Sequence, residues 1–205
     1  MLNIPVFAAL SSGVLDMPGH FSVTAYVAVC NARCPYCYNK KMMAMAPTFT
    51  LGDALAQLEK LRKYAPDAGL VLSGGEPTAH PLFEELLAAV PADVPVGLHT
   101  NGLRQYPCVP DRVASVIMSV KTRQDGAHME PHMALAQLKA ALALYQRVPF
   151  KELRCVMSAD SEGEVRHQTF LAAKPYAESL GWKCAEVPCI DEIAQTLNFK
   201  EMSRA

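Results

Sequence analysis

The 205-residue sequence lacks the features that would assign it to several common classes of protein. No apolar run approaches the roughly 20 residues that a membrane-spanning helix needs. The net charge is only −1, and such a balance argues against a nucleic-acid partner or a membrane surface. No Lys or Arg precedes the apolar residues 4–15, so that stretch indicates early strand structure and not a signal peptide. We therefore expect a cytoplasmic protein.

The cysteines suit a reducing compartment. Seven are present, an odd number that cannot pair completely into disulfides, and cytoplasmic thiols are more often metal ligands or buried side chains. Hydrophobic residues make up 51% of the sequence, and neither a linker nor a low-complexity segment interrupts it. A chain of this length and composition can bury one sizeable core, so we expect a single domain over residues 1–205.

Strand-like and helix-like segments alternate along the chain. The predicted strands are residues 22–29, 69–72, 94–99, 115–120, 152–157 and 182–187. The predicted helices begin at Thr50 and Pro131 or cover residues 81–90 and 169–179, and Asp53 completes a capping box with Thr50. Strands that alternate with helices form parallel sheets. Six of them in this length predict an α/β fold, an open partial (β/α)6 barrel of the TIM-like kind, with its ligands bound where the strands end.

Three cysteines lie close together in the loop after the first of these strands. The loop has the sequence Cys30-Asn31-Ala32-Arg33-Cys34-Pro35-Tyr36-Cys37. Three nearby thiolates can hold three irons of a [4Fe–4S] cube and leave the fourth iron free to bind a cofactor or a substrate. Electron-transfer clusters, in contrast, usually have four cysteine ligands.

Two other interpretations of this loop are open. A zinc site would need a distant fourth cysteine, and zinc loops more often present paired C-x2-C units, of which the sequence has no second copy. Cys34 and Cys37 also match the C-x-x-C form of a thioredoxin-like redox pair, although Cys30 lies close by in the same loop.

With these residues in view, the chain resembles the radical S-adenosylmethionine (SAM) superfamily, because C-x3-C-x2-C is followed by a G-G-E-P motif. The resemblance implies a partial barrel, a [4Fe–4S] cluster held by Cys30, Cys34 and Cys37, and SAM chelated to the open iron through its amino and carboxylate groups. One electron from the cluster then cleaves SAM to a 5′-deoxyadenosyl radical that abstracts hydrogen from the substrate. The protein supplies position and excludes water, so no side chain is assigned as a catalytic acid or base.

The motifs further resemble those of activating enzymes for glycyl-radical proteins, particularly the activating proteins of anaerobic ribonucleotide reductases. The shared stretches are Asp16-Met17-Pro18-Gly19, Cys34-Pro35-Tyr36-Cys37-Tyr38-Asn39, Ser73-Gly74-Gly75-Glu76-Pro77-Thr78, Thr100-Asn101-Gly102, Lys121 and Glu152-Leu153-Arg154. They occur in the order that the family shows. The resemblance implies a glycyl-radical protein as the partner, such as an anaerobic ribonucleotide reductase, and a flavodoxin or ferredoxin as the electron donor.

The same resemblance implies a SAM pocket. Its residues are Tyr36, Asn39, Gly74, Gly75, Glu76, Thr100, Asn101, Lys121 and Arg154. The two glycines lack a Cβ and let the backbone approach a ligand closely. Tyr36 and Asn39 would lie beside the adenine and the ribose, and the region of Glu76 would contact the SAM ammonium. Lys121 would pair with the SAM carboxylate, and Arg154 offers a planar fork that suits a carboxylate.

Three positions depart from the activase pattern. His99 and Ser119 stand where the activases have aspartates, and Tyr38 stands where they have a histidine. The resemblance implies that the two aspartates help to hold a monovalent cation beside the SAM carboxylate, and hard cations prefer carboxylate oxygens. We expect this cation site to be absent or weakened here, with Lys121 or His99 compensating.

Further cysteines and histidines lie outside these motifs. They are Cys108, Cys155, Cys184, Cys189, His128 and His132. The four cysteines are enough in number for a second cluster, but they form no compact ligand loop, so we expect buried or loop thiols instead. The two histidines flank a helix start without a third ligand nearby, and we expect them at the surface. We expect the charged residues after Phe199 to fray.

Three functions are consistent with this sequence. The leading hypothesis is an activase that generates a glycyl radical on a partner protein, whose loop enters through the open side of the partial barrel. The second is a radical SAM enzyme that acts on a small molecule, since the synthases of 7-carboxy-7-deazaguanine have similar length and the same core motifs. The third is a zinc-binding or iron–sulfur module without enzymatic activity.

Overall fold

The computed structural model describes residues 4–37, 39–159 and 161–189. Two expectations, the replacement at Tyr38 and the fraying after Phe199, lie outside the described residues. The strands are β1 (Ala9–Gly13), β2 (Ser22–Val27), β3 (Gly69–Gly74), β4 (Val96–Thr100), β5 (Ser115–Ser119), β6 (Arg123–Gln124), β7 (Ala127–His128), β8 (Phe150–Met157) and β9 (Lys183–Pro188). The helices are α1 (Lys40–Met43), α2 (Leu51–Arg62), α3 (Phe83–Ala89), α4 (Pro131–Leu144) and α5 (Ser161–Ser179), with a 3-10 turn at Pro77–Ala79.

Seven of these strands form one sheet in the order β1-β2-β3-β4-β5-β8-β9. Strand β1 is antiparallel to β2, and the six strands from β2 onward are parallel and follow one another in chain order. Helices α2, α3, α4 and α5 lie in four of the five connections between the parallel strands. The predicted α/β fold with six parallel strands is therefore confirmed. Within the described residues the sheet ends at β9 and does not close into a full barrel.

The central strands are buried on both faces, which explains their continuous apolar sequences. In β3 every residue before Gly74 is buried, and in β5 every residue before Ser119 is buried. Parallel strands covered by helices show such runs. Helix α2 packs on β2 and β3, and helix α5 packs on β8 and β9. No described helix is both long enough and apolar enough to cross a membrane.

Helix α2 begins as the sequence predicts. The Asp53 N–H donates to Thr50 Oγ1 at 3.1 Å, and the Thr50 N–H donates to Asp53 Oδ2 at 2.7 Å. These reciprocal bonds make a capping box. The bond from the Thr50 backbone, followed by that from its side chain, lowers the pKa of the Asp53 carboxyl.

Three parts of the fold differ from the predictions: helix α1 was not expected, helix α5 begins earlier, and a hairpin is added. Helix α5 begins at Ser161 and not at residue 169. The sequence analysis missed its first two turns, because residues 161–168 are mostly polar and show no apolar stripe. Strands β6 and β7 form an unpredicted hairpin around Asp125 and Gly126, whose φ angles are 51° and 84°. Positive φ at both central residues is the geometry of a type I′ turn, and Asp-Gly is one of its preferred sequences. The signal for this hairpin was therefore present in the sequence.

The single tryptophan connects the start of β9 to helix α4. Trp182 is 3% exposed, and its indole Nε1–H donates to the Leu142 carbonyl at 3.2 Å. Because this N–H is the only polar group of the ring, the bond satisfies it fully. The last strand is thereby held against the helix layer.

Candidate active site

A cavity of about 420 Å³ lies at the carboxyl ends of the parallel strands. It is lined by every residue that the sequence analysis assigned to a cluster or to SAM. These residues are Cys30, Cys34, Tyr36, Cys37, Asn39, Gly74, Gly75, Glu76, Thr100, Asn101, Lys121 and Arg154. The structure thus brings the predicted residues together at the edge of the sheet where α/β folds bind ligands.

Alternation along the strands explains which side chains reach the cavity. In β8, Leu153 and Cys155 are fully buried, whereas Arg154 between them lines the cavity. The register places Ser119 of β5 beside Arg154, and Ser119 also lines the cavity. Because successive side chains point to opposite faces of a strand, the polar residues face the cavity while their apolar neighbours face the helices.

The cluster loop (residues 30–37) presents its three thiols through a tight turn. Arg33 has a positive φ of 56°, and the Cys37 N–H donates to the Cys34 carbonyl at 3.2 Å. The Ala32 N–H donates to Cys30 Sγ at 3.4 Å. The three cysteines are half-buried and carry free thiols, so each sulfur is available as a ligand at the cavity wall.

The chemistry of the donor set bears on which metal group it fits. The cluster loop brings three cysteine thiols to the cavity wall. A [4Fe–4S] cube binds one thiolate at each iron, so the three thiols suit three of its irons. A structural zinc ion needs four ligands around one point, and the cluster loop supplies three.

The Cys37 thiol is held in its protonated form while no metal is bound. Burial raises the pKa of Cys37, a backbone hydrogen bond from Asn39 partly offsets this, and the nearby Cys34 and Cys30 thiols raise the pKa further. A bound metal group would supply positive charge and deprotonate the thiols that it binds.

Gly74 and Gly75 bring the end of β3 against the chain that leads into the cluster loop. The φ of Gly74 is 105°, in the region that favours glycine. A Cβ on Gly74 would lie 2.5 Å from the Val27 carbonyl oxygen, and a Cβ on Gly75 would lie 2.2 Å from that of Val29. The Gly75 and Glu76 N–H groups donate to these carbonyls at 2.8 and 2.7 Å. The two glycines are therefore needed for packing against residues 27 and 29. The approach of a ligand to their backbone, which the resemblance implies, would be a second role.

The Glu76 carboxylate ties the end of β3 to the end of β4. It is 1% exposed, and its Oε1 accepts from the Thr78 N–H at 3.1 Å, the Thr78 hydroxyl at 2.5 Å and the Thr100 hydroxyl at 2.7 Å. Its Oε2 accepts from the Asn101 N–H at 2.6 Å. Burial raises the pKa of Glu76, and these hydrogen bonds oppose the rise. The carboxylate thus accepts four hydrogen bonds from the protein itself. The contact with a SAM ammonium that the resemblance implies for this region would be additional to them.

Asparagine side chains extend this network to the cluster loop. Asn101 Nδ2 donates to Asn31 Oδ1 at 2.7 Å, and Asn39 Nδ2 donates to the Gly74 carbonyl at 3.2 Å. The Asp125 N–H, at the tip of the β6–β7 hairpin, donates to the Asn31 carbonyl at 2.6 Å. The cluster loop is therefore held from β3, from β4 and from the hairpin.

Lys121 and Tyr36 contact each other in the cavity wall. Lys121 Nζ lies 3.4 Å from the Tyr36 hydroxyl and 5.3 Å from the centre of its ring. Burial raises the pKa of Tyr36 to about 12, so its hydroxyl stays protonated. Burial lowers the pKa of Lys121, but the negative charges that Tyr36 and Cys34 acquire when they lose their protons, together with the hydrogen bond to Tyr36, outweigh it, so the pKa lies above its ordinary value. A charged ammonium in this position can pair with an anionic ligand.

His99 is held in one neutral form. Its Nε2 lies 2.8 Å from the Asp16 carbonyl oxygen, which can only accept, so Nε2 carries the proton. Its Nδ1 then accepts from the Ser73 hydroxyl at 3.2 Å. Burial lowers the pKa of His99, and the bond to Asp16 opposes this. The neutral ring supplies no charge at a position where the activases carry an aspartate.

Three residues of this region were missed by the sequence analysis. Asn31 occupies a variable position of the cysteine motif, and Cys189 lines the cavity directly after β9. The Arg166 guanidinium lies 3.8 Å from the centre of the Tyr36 ring. The position of Cys189 directly after a predicted strand could have indicated that it lies at the cavity. No pattern near Arg166 in the sequence indicates a contact with the cluster loop.

Most of the cysteines and histidines expected outside the site lie as the sequence predicts. Cys155 is buried, Cys108 is an exposed loop thiol, and His128 and His132 are exposed. Cys184 differs, because it is half-buried within strand β9.

Gly75→Ala should disturb the cluster loop. The added methyl group would meet the Val29 carbonyl, so the end of β3 or the loop must move, and we expect the free energy of unfolding to fall by about 1–3 kcal/mol together with the iron retained after reconstitution. Gly13→Ala is the matched control, because a Cβ there meets nothing within 4 Å. Urea unfolding and an iron assay measure both variants, and equal behaviour of the two would contradict the packing role of Gly75.

The neutral form of His99 predicts a pH dependence of stability. Because the pKa of His99 is lower in the folded chain, the unfolded chain binds the proton first, and stability is lost as the pH falls below about 6.5. The loss approaches about 1.4 kcal/mol per pH unit. His99→Gln should remove this contribution, and His132→Gln, at an exposed histidine, should not. Urea unfolding over this pH range tests it; an unchanged slope in His99→Gln would refute the assignment.

Comparison with known proteins agrees with this geometry. Residues 26–125 match the model of the radical SAM superfamily. A 7-carboxy-7-deazaguanine synthase from Hyperthermus butylicus is 30% identical over 135 residues, which are 62% of this chain and 56% of that protein. A Methanocaldococcus jannaschii protein named as a glycyl-radical enzyme activating enzyme is 32% identical over 102 residues, 46% of this chain and 41% of that protein. The chain thus spans about half the length of these curated relatives.

Among solved structures, QueE from Escherichia coli aligns with a TM-score of 0.49 and 13% identity, covering 88% of this chain and 92% of that one. The superfamily match covers the cluster loop, the glycine motif after β3 and the polar ends of β4 and β5. This part of the chain therefore resembles the radical SAM superfamily, whose members use a [4Fe–4S] cluster and SAM.

Proposed function

We propose that this chain reductively cleaves SAM at a [4Fe–4S] cluster held by Cys30, Cys34 and Cys37. The observation that carries the proposal is that these three thiols and the polar ends of β3, β4 and β5 line one cavity. The thiols would hold three irons, and the cluster loop has no further thiol for the fourth. That iron would be the place where SAM binds.

A cluster held by Cys30, Cys34 and Cys37 would supply the single electron for the cleavage of SAM and, through it, a radical able to take a hydrogen atom from a substrate. The residues of the chain position the reactants. Lys121 carries a positive charge in the cavity and would pair with the SAM carboxylate. Arg154, whose Nε–H donates to Glu152 Oε1, would present a second cation. Tyr36 and Asn39 would lie beside the adenine and the ribose.

The part of the cavity wall formed by Thr100 and Asn101 would bind SAM with a backbone that is already held in place. Thr100 and Asn101 are 4% and 6% exposed, and both are tied to the Glu76 carboxylate. A wall held by internal hydrogen bonds needs little reorganisation when a ligand enters, which favours reactive geometries. We propose that the SAM ammonium lies at this wall, near Gly74 and Gly75.

We propose that the electron comes from another protein. The cysteines of the cluster loop are half-buried and not fully enclosed, so a bound cluster would lie near the surface. This position supports the proposal that a flavodoxin or a ferredoxin docks beside the loop.

For the substrate, we propose a glycine residue of a partner protein, such as an anaerobic ribonucleotide reductase. The motifs that resemble those of the activases support this, and so does the relative named as an activating enzyme. The parallel sheet ends at β9 within the described residues. An unclosed barrel offers a side through which a loop of a partner could enter.

A small-molecule substrate is the second candidate, because the cavity has neutral polar side chains where the activases carry acids. Ser73, His99 and Ser119 all line the cavity, and their groups can hydrogen-bond a heterocycle or a carboxylate. The 30% identity to a 7-carboxy-7-deazaguanine synthase supports this candidate.

Cysteine variants test the cluster site. The reconstituted chain should bind about four irons and, once reduced anaerobically, convert SAM to 5′-deoxyadenosine. Cys34→Ala should lose the iron and at least about 100-fold of the activity, because even an outer partner of a metal ligand can contribute that much. Cys108→Ala, at an exposed thiol, is the control and should retain both. A chain that binds zinc instead, or a Cys34→Ala variant that still cleaves SAM, would exclude the proposal.

Cys189 requires its own variant, because its thiol lines the same cavity. Cys189→Ala should keep the iron and the cleavage of SAM if the fourth iron is free of protein ligands. Loss of iron in this variant would indicate a fourth cysteine ligand and would contradict an open iron.

The substrate is tested by electron paramagnetic resonance. With SAM, the reduced chain and an anaerobic ribonucleotide reductase as the probe, we expect a glycyl-radical doublet that is missing with Cys34→Ala. Formation of 5′-deoxyadenosine without the doublet would argue against this partner. If no doublet forms, the reduced chain and SAM are added to an anaerobic extract. Detection of 7-carboxy-7-deazaguanine there by mass spectrometry would favour the small-molecule candidate.

A further inference from the structure

Arg166 is a buried arginine that the proposed mechanism does not use. It lies on α5, is 0% exposed, and is the largest fully buried side chain among the described residues. Its Nε–H donates to the Val156 carbonyl at 2.8 Å, and its Nη2 donates to Ser158 Oγ at 2.5 Å. Complete burial of a guanidinium is unfavourable unless other groups compensate its charge.

Within the described part of the chain, no carboxylate forms an ion pair with this guanidinium. Arg166 takes part in none of the ion pairs between described residues, and its Nη1 is buried there without a hydrogen-bond partner. Its guanidinium carbon instead lies 3.8 Å from the centre of the Tyr36 ring. This distance places the cation well within reach of a cation–π interaction.

A second cation contacts the same ring. Lys121 Nζ lies 5.3 Å from the ring centre, and Lys121 likewise pairs with no carboxylate among the described residues. Two positive charges therefore surround the aromatic side chain that lies between Cys34 and Cys37 in the sequence. A [4Fe–4S] cluster with three thiolates is an anion, and its negative charge increases when it gains an electron.

We propose that Arg166 is a positioning residue that orients the cluster loop through Tyr36 and supplies positive charge that makes the cluster easier to reduce. The inference rests on the proposed function, because it needs a cluster on the three cysteines. In the step concerned, the cluster gains one electron and a donor of the flavodoxin or ferredoxin class loses it, with no bond formed or broken. Positive charge nearby stabilises the more negative, reduced state, and net charge is among the factors that set the potential of such clusters.

Arginine suits this position better than lysine would. Its planar guanidinium can stack on the Tyr36 ring while its fixed donors bond the Val156 carbonyl and the Ser158 hydroxyl. The side chain thereby connects the carboxyl end of β8 with the cluster loop. A role confined to packing would predict changes in stability but none in the potential.

The test compares the reconstituted wild-type chain with Arg166→Gln, Arg166→Lys and Arg112→Gln. Arg112 is the matched control, because its Nη2 donates to the Val90 and Pro91 carbonyls at 2.9 and 2.8 Å and it lies outside the cavity lining. Electron paramagnetic resonance at one fixed ambient potential measures the reduced fraction of the cluster. Arg166→Gln should lower the ratio of reduced to oxidised cluster about tenfold, which corresponds to about 59 mV for one electron. Arg166→Lys and Arg112→Gln should stay within about threefold of the wild type.

Each other outcome overturns a defined statement. Equal ratios in the wild type and Arg166→Gln would exclude the charge effect. Equally low ratios in Arg166→Gln and Arg166→Lys would assign the effect to packing, which also overturns the inference. A wild-type chain that holds no cluster would instead reject the proposed function.

A second pair of variants keeps the test decisive if Arg166→Gln does not fold. Tyr36→Phe keeps the ring face on which the guanidinium lies, and Tyr36→Leu removes it. Release of iron to a chelator should be about tenfold faster in Tyr36→Leu and within about threefold of the wild type in Tyr36→Phe. Equal rates of release in the two variants would overturn the positioning role.

Discussion

The geometry of the cavity depends on one buried carboxylate. Glu76 accepts hydrogen bonds from the 3-10 turn that follows it and from the end of β4, and a carboxylate has enough acceptor sites for all four donors, whereas an amide does not. Through Asn101 the same network reaches Asn31 in the cluster loop. Three segments that are distant in the sequence are therefore fixed relative to one another before any ligand arrives.

The parallel sheet separates packing from chemistry by the alternation of its side chains. Leu153 and Cys155 face the helices, and Arg154 faces the cavity. The cavity carries the cations Lys121 and Arg154 but a neutral His99, so its charge suits an anionic cluster and the carboxylate of SAM. The neutral side chains of His99 and Ser119 thus leave part of the cavity wall without charge.

Features that depend on residues close together in the sequence could be predicted. Features that depend on contacts between distant residues could not. The six parallel strands, the capping box at Thr50 and the cysteine loop follow from local patterns. The Asp125-Gly126 hairpin had a local signal, but its strands are too short to show alternation. Arg166 contacts Tyr36 across most of the chain, and only the packing of α5 on β8 brings the two together. No spacing rule relates such positions.

The single tryptophan gives the molecule a built-in optical reporter. Trp182 is buried where helix α4 meets the last parallel strand, and that strand leads to Cys189 in the cavity wall. All indole fluorescence of the chain therefore originates at one defined place, at the end of β9 opposite the cavity. An iron–sulfur chromophore in the cavity would quench this emission by energy transfer, so its assembly and loss can be followed in real time without an attached dye.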